Sequence, residues 1–92
     1  MKQVDILWID DEIDLLKPQI IFLEEKGYRV FTVSNADDAI EKLKTNAYDI
    51  ILLDEHMPGI NGIEALGQIK HYAPASPVIM ITKSEEENIM EE

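Results

Sequence analysis

The chain contains no cysteine, so neither a disulfide framework nor a thiolate metal site is open to it. Basic residues are scarce: eight Lys and Arg stand against nineteen Asp and Glu, for a formal charge of −11. Such a surface repels nucleic-acid phosphates and favours cations and basic partners, which argues against direct nucleic-acid binding by this segment. Long apolar runs are missing as well. Near the N-terminus only Ile6-Leu7-Trp8-Ile9 is continuously apolar, too short for a signal peptide or a membrane span. The expected location is therefore the cytoplasm. No repeat or low-complexity tract interrupts the sequence.

What is present is a folding sequence of 92 residues, 46% hydrophobic, the size of one compact domain over residues 1–92. Val4 to Ile9 reads as a buried strand. Asp14 to Lys26 carries Leu16, Ile20 and Leu23 at helical spacing, with Asp14 as N-cap, Pro18 tolerated near the helix start and Gly27 as the stop. Tyr28 to Val33 alternates as a second strand, and Asn35 caps a helix to about Lys44 with Ala39, Ile40 and Leu43 inward. Asp49 to Leu53 reads as a third strand buried on both faces, followed by a loop from Asp54 to Ile60. Asn61 with Glu64 resembles a capping box for a helix to about Tyr72. Pro77 to Ile81 is a fourth strand, and Ser84 with Glu87 opens another helix. Alternating strands and helices with short connections predict a doubly wound parallel α/β sheet.

Ligands in such sheets bind beyond the carboxyl ends of the strands, where strand order reverses. Asp10 and Asp11 follow the first strand, Asp54 the third and Thr82 the fourth. A single Asp after a strand is ordinarily a turn former or a cap. If the first and third strands are neighbours, however, three carboxylates meet in one crevice. Two of them about 4 Å apart repel by roughly 4 kcal/mol at an effective dielectric near 20. A hard divalent cation relieves that repulsion, and carboxylate and carbonyl oxygens suit magnesium. The cation would also let Asp54 act as a nucleophile toward an anionic phosphoryl group. Five of the remaining acids, Glu85, Glu86, Glu87, Glu91 and Glu92, read as a solvated helix start.

With Asp10-Asp11, Asp54-Glu55-His56-Met57-Pro58-Gly59 and Thr82 on this strand order, the sequence resembles a response-regulator receiver domain (CheY-like) of two-component signalling, from Val4 to about Asn88. The resemblance implies the flavodoxin-like strand order. It implies that Asp54 is the phosphoacceptor, served by a sensor histidine kinase or a phosphotransfer protein. Asp11 would bind Mg2+ directly, Asp10 partly through water, and His56 through its backbone carbonyl, while Thr82 would contact the bound phosphoryl group. The stretches DEIDLLKPQIIFLEEKGY, LLDEHMPG and MITKSEEENIMEE are further similar to receivers of PglZ-domain (PorX-type) regulators. In those, the receiver precedes a helical region and an alkaline-phosphatase-like output domain.

Two features depart from the family pattern. The chain ends before a fifth strand and fifth helix, and so without the family's phosphoryl-pairing lysine. Lys83 also occupies a position that is usually small. The expectation is a fragment with an open sheet edge and an uncovered first helix, self-associating by edge pairing or element swapping. An aspartate-nucleophile phosphohydrolase would need a second acid two residues after the nucleophile, where this chain has His56. A phosphorylatable switch rather than a turnover enzyme is thus expected, the alternative being a receiver-like interaction or dimerisation module that is not phosphorylated.

Overall fold

The computed structural model describes residues 3–57 and 59–82. Strands β1 (Asp5–Ile9), β2 (Arg29–Val33) and β3 (Ile50–Asp54) come first, then the two-residue strands β4 (His56–Met57) and β5 (Ile60–Asn61), and finally β6 (Val78–Ile81). Helices α1 (Lys17–Glu25), α2 (Ala36–Thr45) and α3 (Gly62–Tyr72) lie between them, with a 3-10 turn at Ile13–Leu16 ahead of α1. Four of the strands form one sheet in the order β2-β1-β3-β6, and all of its pairings are parallel. The chain moves from β1 outward to β2, then crosses back to build β3 and β6 on the other side. This is the flavodoxin-like order, and its reversal falls at β1.

Side chains alternate between the two faces of a strand. On one face Leu7, Ile9, Ile51 and Leu53 are fully buried, packed with Ala36, Ala39 and Leu43 of α2 and with Ala65 and Ile69 of α3. Trp8 points to the other face, where it lines a groove with Pro18, Gln19, Phe22 and Leu23 of α1. The two faces are covered unequally. Helix α1 buries none of its residues, and Leu15, Ile21 and Phe22 stay exposed. The expectation of a third strand buried on both faces therefore holds for one face only: Ile51 and Leu53 are buried, while Ile50 and Leu52 are half-buried.

Local signals placed several element ends. Asn35 is the N-cap of α2, its Oδ1 accepting the Asp38 N–H at 2.7 Å, a contact generally worth about 1 kcal/mol. Asp37 and Asp38 in the first turn, and Lys42 and Lys44 in the last, suit the helix dipole. At the end of α1, Gly27 has φ +101°, its N–H donates to the Glu24 carbonyl and the Tyr28 N–H donates to that of Leu23. That pair of bonds is the Schellman closure a left-handed glycine permits.

The start of the first helix differs from expectation. Asp14 is not an N-cap: the chain first makes the 3-10 turn, and α1 begins at Lys17 with Pro18 in its opening turn. Proline fits there because the first N–H groups of a helix have no partner within it. The stretch read as a loop from Asp54 to Ile60 instead holds the β4–β5 hairpin. The expected capping box at Ser84 and Glu87, and Lys83 itself, lie outside the described residues.

Candidate functional site

Strands β1 and β3 are direct neighbours, with Ile9 opposite Leu53. The next residue on each, Asp10 and Asp54, therefore reaches the carboxyl end of the sheet on a shared rung, at the about 4.8 Å spacing of paired strands. Both are buried, Asp10 wholly and Asp54 to 1% exposure, whereas Asp11 is exposed at the rim. One carboxylate oxygen from each of the three lies within 4.8 Å of the other two. The structure thus brings together the three acids that the sequence pointed to.

The main chain holds the two buried carboxylates from below. Asp10 Oδ1 accepts the Glu12 N–H at 2.8 Å, and Asp54 Oδ1 accepts the His56 N–H at 3.1 Å. The turn after β1 is tied down further. The Asp10 N–H donates to the Val33 carbonyl at 3.1 Å and the Ile13 N–H to the Asp10 carbonyl at 3.2 Å. Each acid is thus oriented by the backbone that follows it, two residues on in both cases.

The donor set consists of carboxylate oxygens alone, which fits a hard cation such as magnesium and not a metal that prefers nitrogen or sulfur. The His56 imidazole is no member of this group: its ring is exposed, with Nε2 at 3.9 Å from the Glu55 carboxylate. Thr82 is the first residue beyond β6. Its position follows from the register, since Ile81 pairs with Asp54 and the Glu55 N–H donates to the Ile81 carbonyl at 3.0 Å. Beside Asp54, then, the chain carries Thr82 out on the neighbouring strand.

Two features of the site escaped sequence reasoning. A turn at Met57-Pro58-Gly59 beside the acceptor is expected from the resemblance, and Gly59 has φ +87°, where a side chain would be strained, but the pairing of β4 with β5 around it was not foreseen. Alternating apolar residues are its usual signal, and two-residue strands are too short to show them. The other is the close packing at Gly62, where α3 begins against Met80 and Glu55. A glycine beside a helix start reads as an ordinary boundary residue, and nothing local reveals what lies across from it.

A profile of the response regulator receiver domain matches residues 6–92. The chain belongs to that family. Among curated relatives of this receiver, the transcriptional regulatory protein ResD of Bacillus subtilis is 41% identical over 94% of the chain and 36% of its own length. ZraR of Klebsiella oxytoca is 38% identical over 88% of the chain and 18% of its own length. The receiver thus spans roughly a fifth to a third of these relatives.

Among solved structures, TrrA of Thermotoga maritima in complex with Mg2+ and BeF is 30% identical, with a TM-score of 0.78 over 95% of this chain and 77% of that one. A complex of the histidine kinase ThkA with the response regulator TrrA gives 31% identity and a TM-score of 0.80, covering 96% of this chain and 76% of that one. No helix among the described residues is long and apolar enough to cross a membrane.

Proposed function

We propose that this receiver is switched by Mg2+-dependent phosphorylation of Asp54, the donor being a sensor histidine kinase or a phosphotransfer protein. The observation that carries the reading is the burial of Asp54 at the end of β3 in one group with Asp10 and Asp11. An Asp54 oxygen attacks the phosphorus of a phosphohistidine. The P–N bond breaks with its electron pair on the imidazole nitrogen, and an acyl phosphate forms on Asp54. Magnesium, held by Asp10, Asp11, Asp54 and the His56 carbonyl, would supply positive charge against the transferring group. Thr82 contacts the new phosphoryl group and carries its presence to the surface. The chain supports its own phosphorylation and dephosphorylation and is not a turnover enzyme.

With Mg2+ present, acetyl phosphate is expected to add one phosphoryl mass to the chain, read by intact mass spectrometry. A chain that gains no mass favours the alternative, an interaction module that is not phosphorylated.

Residues 1–92 are proposed as a single receiver unit in the cytoplasm, without nucleic-acid binding of its own given its −11 charge. The stretches around Pro18, His56 and Lys83 support placement with PglZ-domain regulators. Among the described residues β6 ends the sheet, with Ile79 half exposed, and α1 presents Ile21 and Phe22. Such surface favours self-association, by edge pairing or by element exchange. Sedimentation at rising concentration should show dimers or larger species, and a monomer throughout would dismiss self-association.

A further inference from the structure

Two parts of the site, Glu55 beyond β3 and Met80 of β6, converge at Gly62, the first residue of α3. A Cβ placed there would lie 2.6 Å from the Met80 ε-carbon, 3.2 Å from the Glu55 carbonyl oxygen and 3.3 Å from the Glu55 Cα. Ordinary contacts between carbon atoms fall at about 3.5–4.0 Å. The Met80 methyl therefore fills the volume that a side chain at position 62 would take. Conformation does not demand this glycine: among the described glycines only Gly27 and Gly59 have a positive φ. Gly62 is required by space.

What it touches gives this packing its meaning. Glu55 directly follows Asp54, and its N–H is bonded to the Ile81 carbonyl. Met80 sits opposite Leu53 on β6, two residues before Thr82. The contact thus joins the chain leaving Asp54 to the strand that delivers Thr82. The Met80 side chain is flexible and can swing aside, but the Glu55 backbone is tied into the sheet edge and cannot yield without moving its neighbours.

We propose that Gly62 is a positioning residue for phosphorylation: by admitting the Met80 methyl against the Glu55 backbone, it sets the spacing between Asp54 and Thr82. This rests on the reading of Asp54 as phosphoacceptor. A methyl at position 62 turns the Met80 tip aside and presses on the Glu55 backbone, and it is the Glu55 shift that reaches the acceptor through the β3–β6 pairing. Asp54 and the His56 carbonyl flank Glu55, whereas Asp10 and Asp11 stand on a different strand, so metal affinity should fall with the rate but by less, and saturating Mg2+ removes that part from the comparison.

The test compares the chain with Gly62→Ala, Met80→Ala and the double variant, using acetyl phosphate at saturating Mg2+, well below every unfolding midpoint. Gly62→Ala should slow phosphorylation about 5- to 10-fold, less than the roughly 100-fold of a full 1 Å misplacement, while Mg2+ affinity changes by no more than about threefold. Adding Gly62→Ala to Met80→Ala should cost little more, because the start of α3 can settle toward the volume that Met80 vacates and so relieve the contact of the new methyl with Glu55. Such non-additivity is the signature of two residues competing for one space.

A Gly62→Ala chain that is phosphorylated at the original rate overturns the proposal, as does a loss matching only the unfolded fraction. Should Gly62→Ala not fold, Met80→Ala and the double variant still decide: equal rates support the proposal, and a further fivefold loss in the double variant overturns it. A parent chain that takes up no phosphoryl group removes the Asp54 reading, and the positioning role with it. A labelled parent with an equally fast Gly62→Ala removes the positioning role alone.

Discussion

Asp54→Asn should abolish phosphoryl uptake from acetyl phosphate and leave the fold intact. The amide keeps an Oδ1 in the place that accepts the His56 N–H, so the turn after β3 retains its anchor. What disappears is the carboxylate nucleophile, since an uncharged amide oxygen does not displace a phosphoryl leaving group at neutral pH. The same substitution has a second effect of opposite sign. Asp54 is buried within 4.8 Å of two other carboxylates, and neutralising it removes repulsion from the metal-free protein. At 4 Å one such pair is worth on the order of 1–4 kcal/mol, depending on the effective dielectric.

The metal-free variant should therefore melt higher than the parent, by at least about 4 °C for each kcal/mol gained in a domain of this size. Mass spectrometry checks the first effect and thermal unfolding in a chelator checks the second. Continued labelling would move the acceptor to another residue. A metal-free variant that melts lower would remove the repulsion argument.

Magnesium should stabilise the parent chain and lose that effect when either acid at the end of β1 is neutralised. At ten times the dissociation constant, one-site binding adds about 1.4 kcal/mol, which is about 6 to 11 °C of melting temperature in a small domain. Asp10→Asn is the sharper variant. It retains an oxygen for the Glu12 N–H, so the local turn survives and only charge is lost. Asp11→Asn, at the exposed rim, disturbs the core least. Both should reduce the magnesium-induced rise to near zero, and both should raise metal-free stability for the reason given for Asp54. A full magnesium response in both variants would place the ion elsewhere.

Much of this architecture was legible along the chain because its signals are local. Asn35 and Gly27 act through their own backbone neighbourhoods, so the start of α2 and the end of α1 lay where the sequence placed them. The apolar strands followed by Asp10, Asp54 and Thr82 gave the order of elements for the same reason. Asp14 misled because a 3-10 turn and an N-capped helix draw on the same residue types, and Pro18 is compatible with both. The unequal burial of β3 was hidden too. An Ile-Ile-Leu-Leu run does not say how closely a helix covers each face, and α1 covers its face loosely.

The residue types at the strand ends were thus set by the sequence alone: acids after β1 and β3, a threonine after β6, no sulfur or nitrogen ligand set among them. Oxygen donors of that kind suit a hard cation better than a metal that prefers nitrogen or sulfur. Only the tertiary structure decided that these residues meet. Asp10 and Asp54 are far apart in the chain and share a rung because β1 pairs with β3 in the register Ile9 to Leu53, a non-local hydrogen-bonding choice that no local propensity encodes. The fit of the Met80 methyl into the space at Gly62 belongs to the same class. Packing is a property of surfaces brought together, and those surfaces exist only once the sheet has formed.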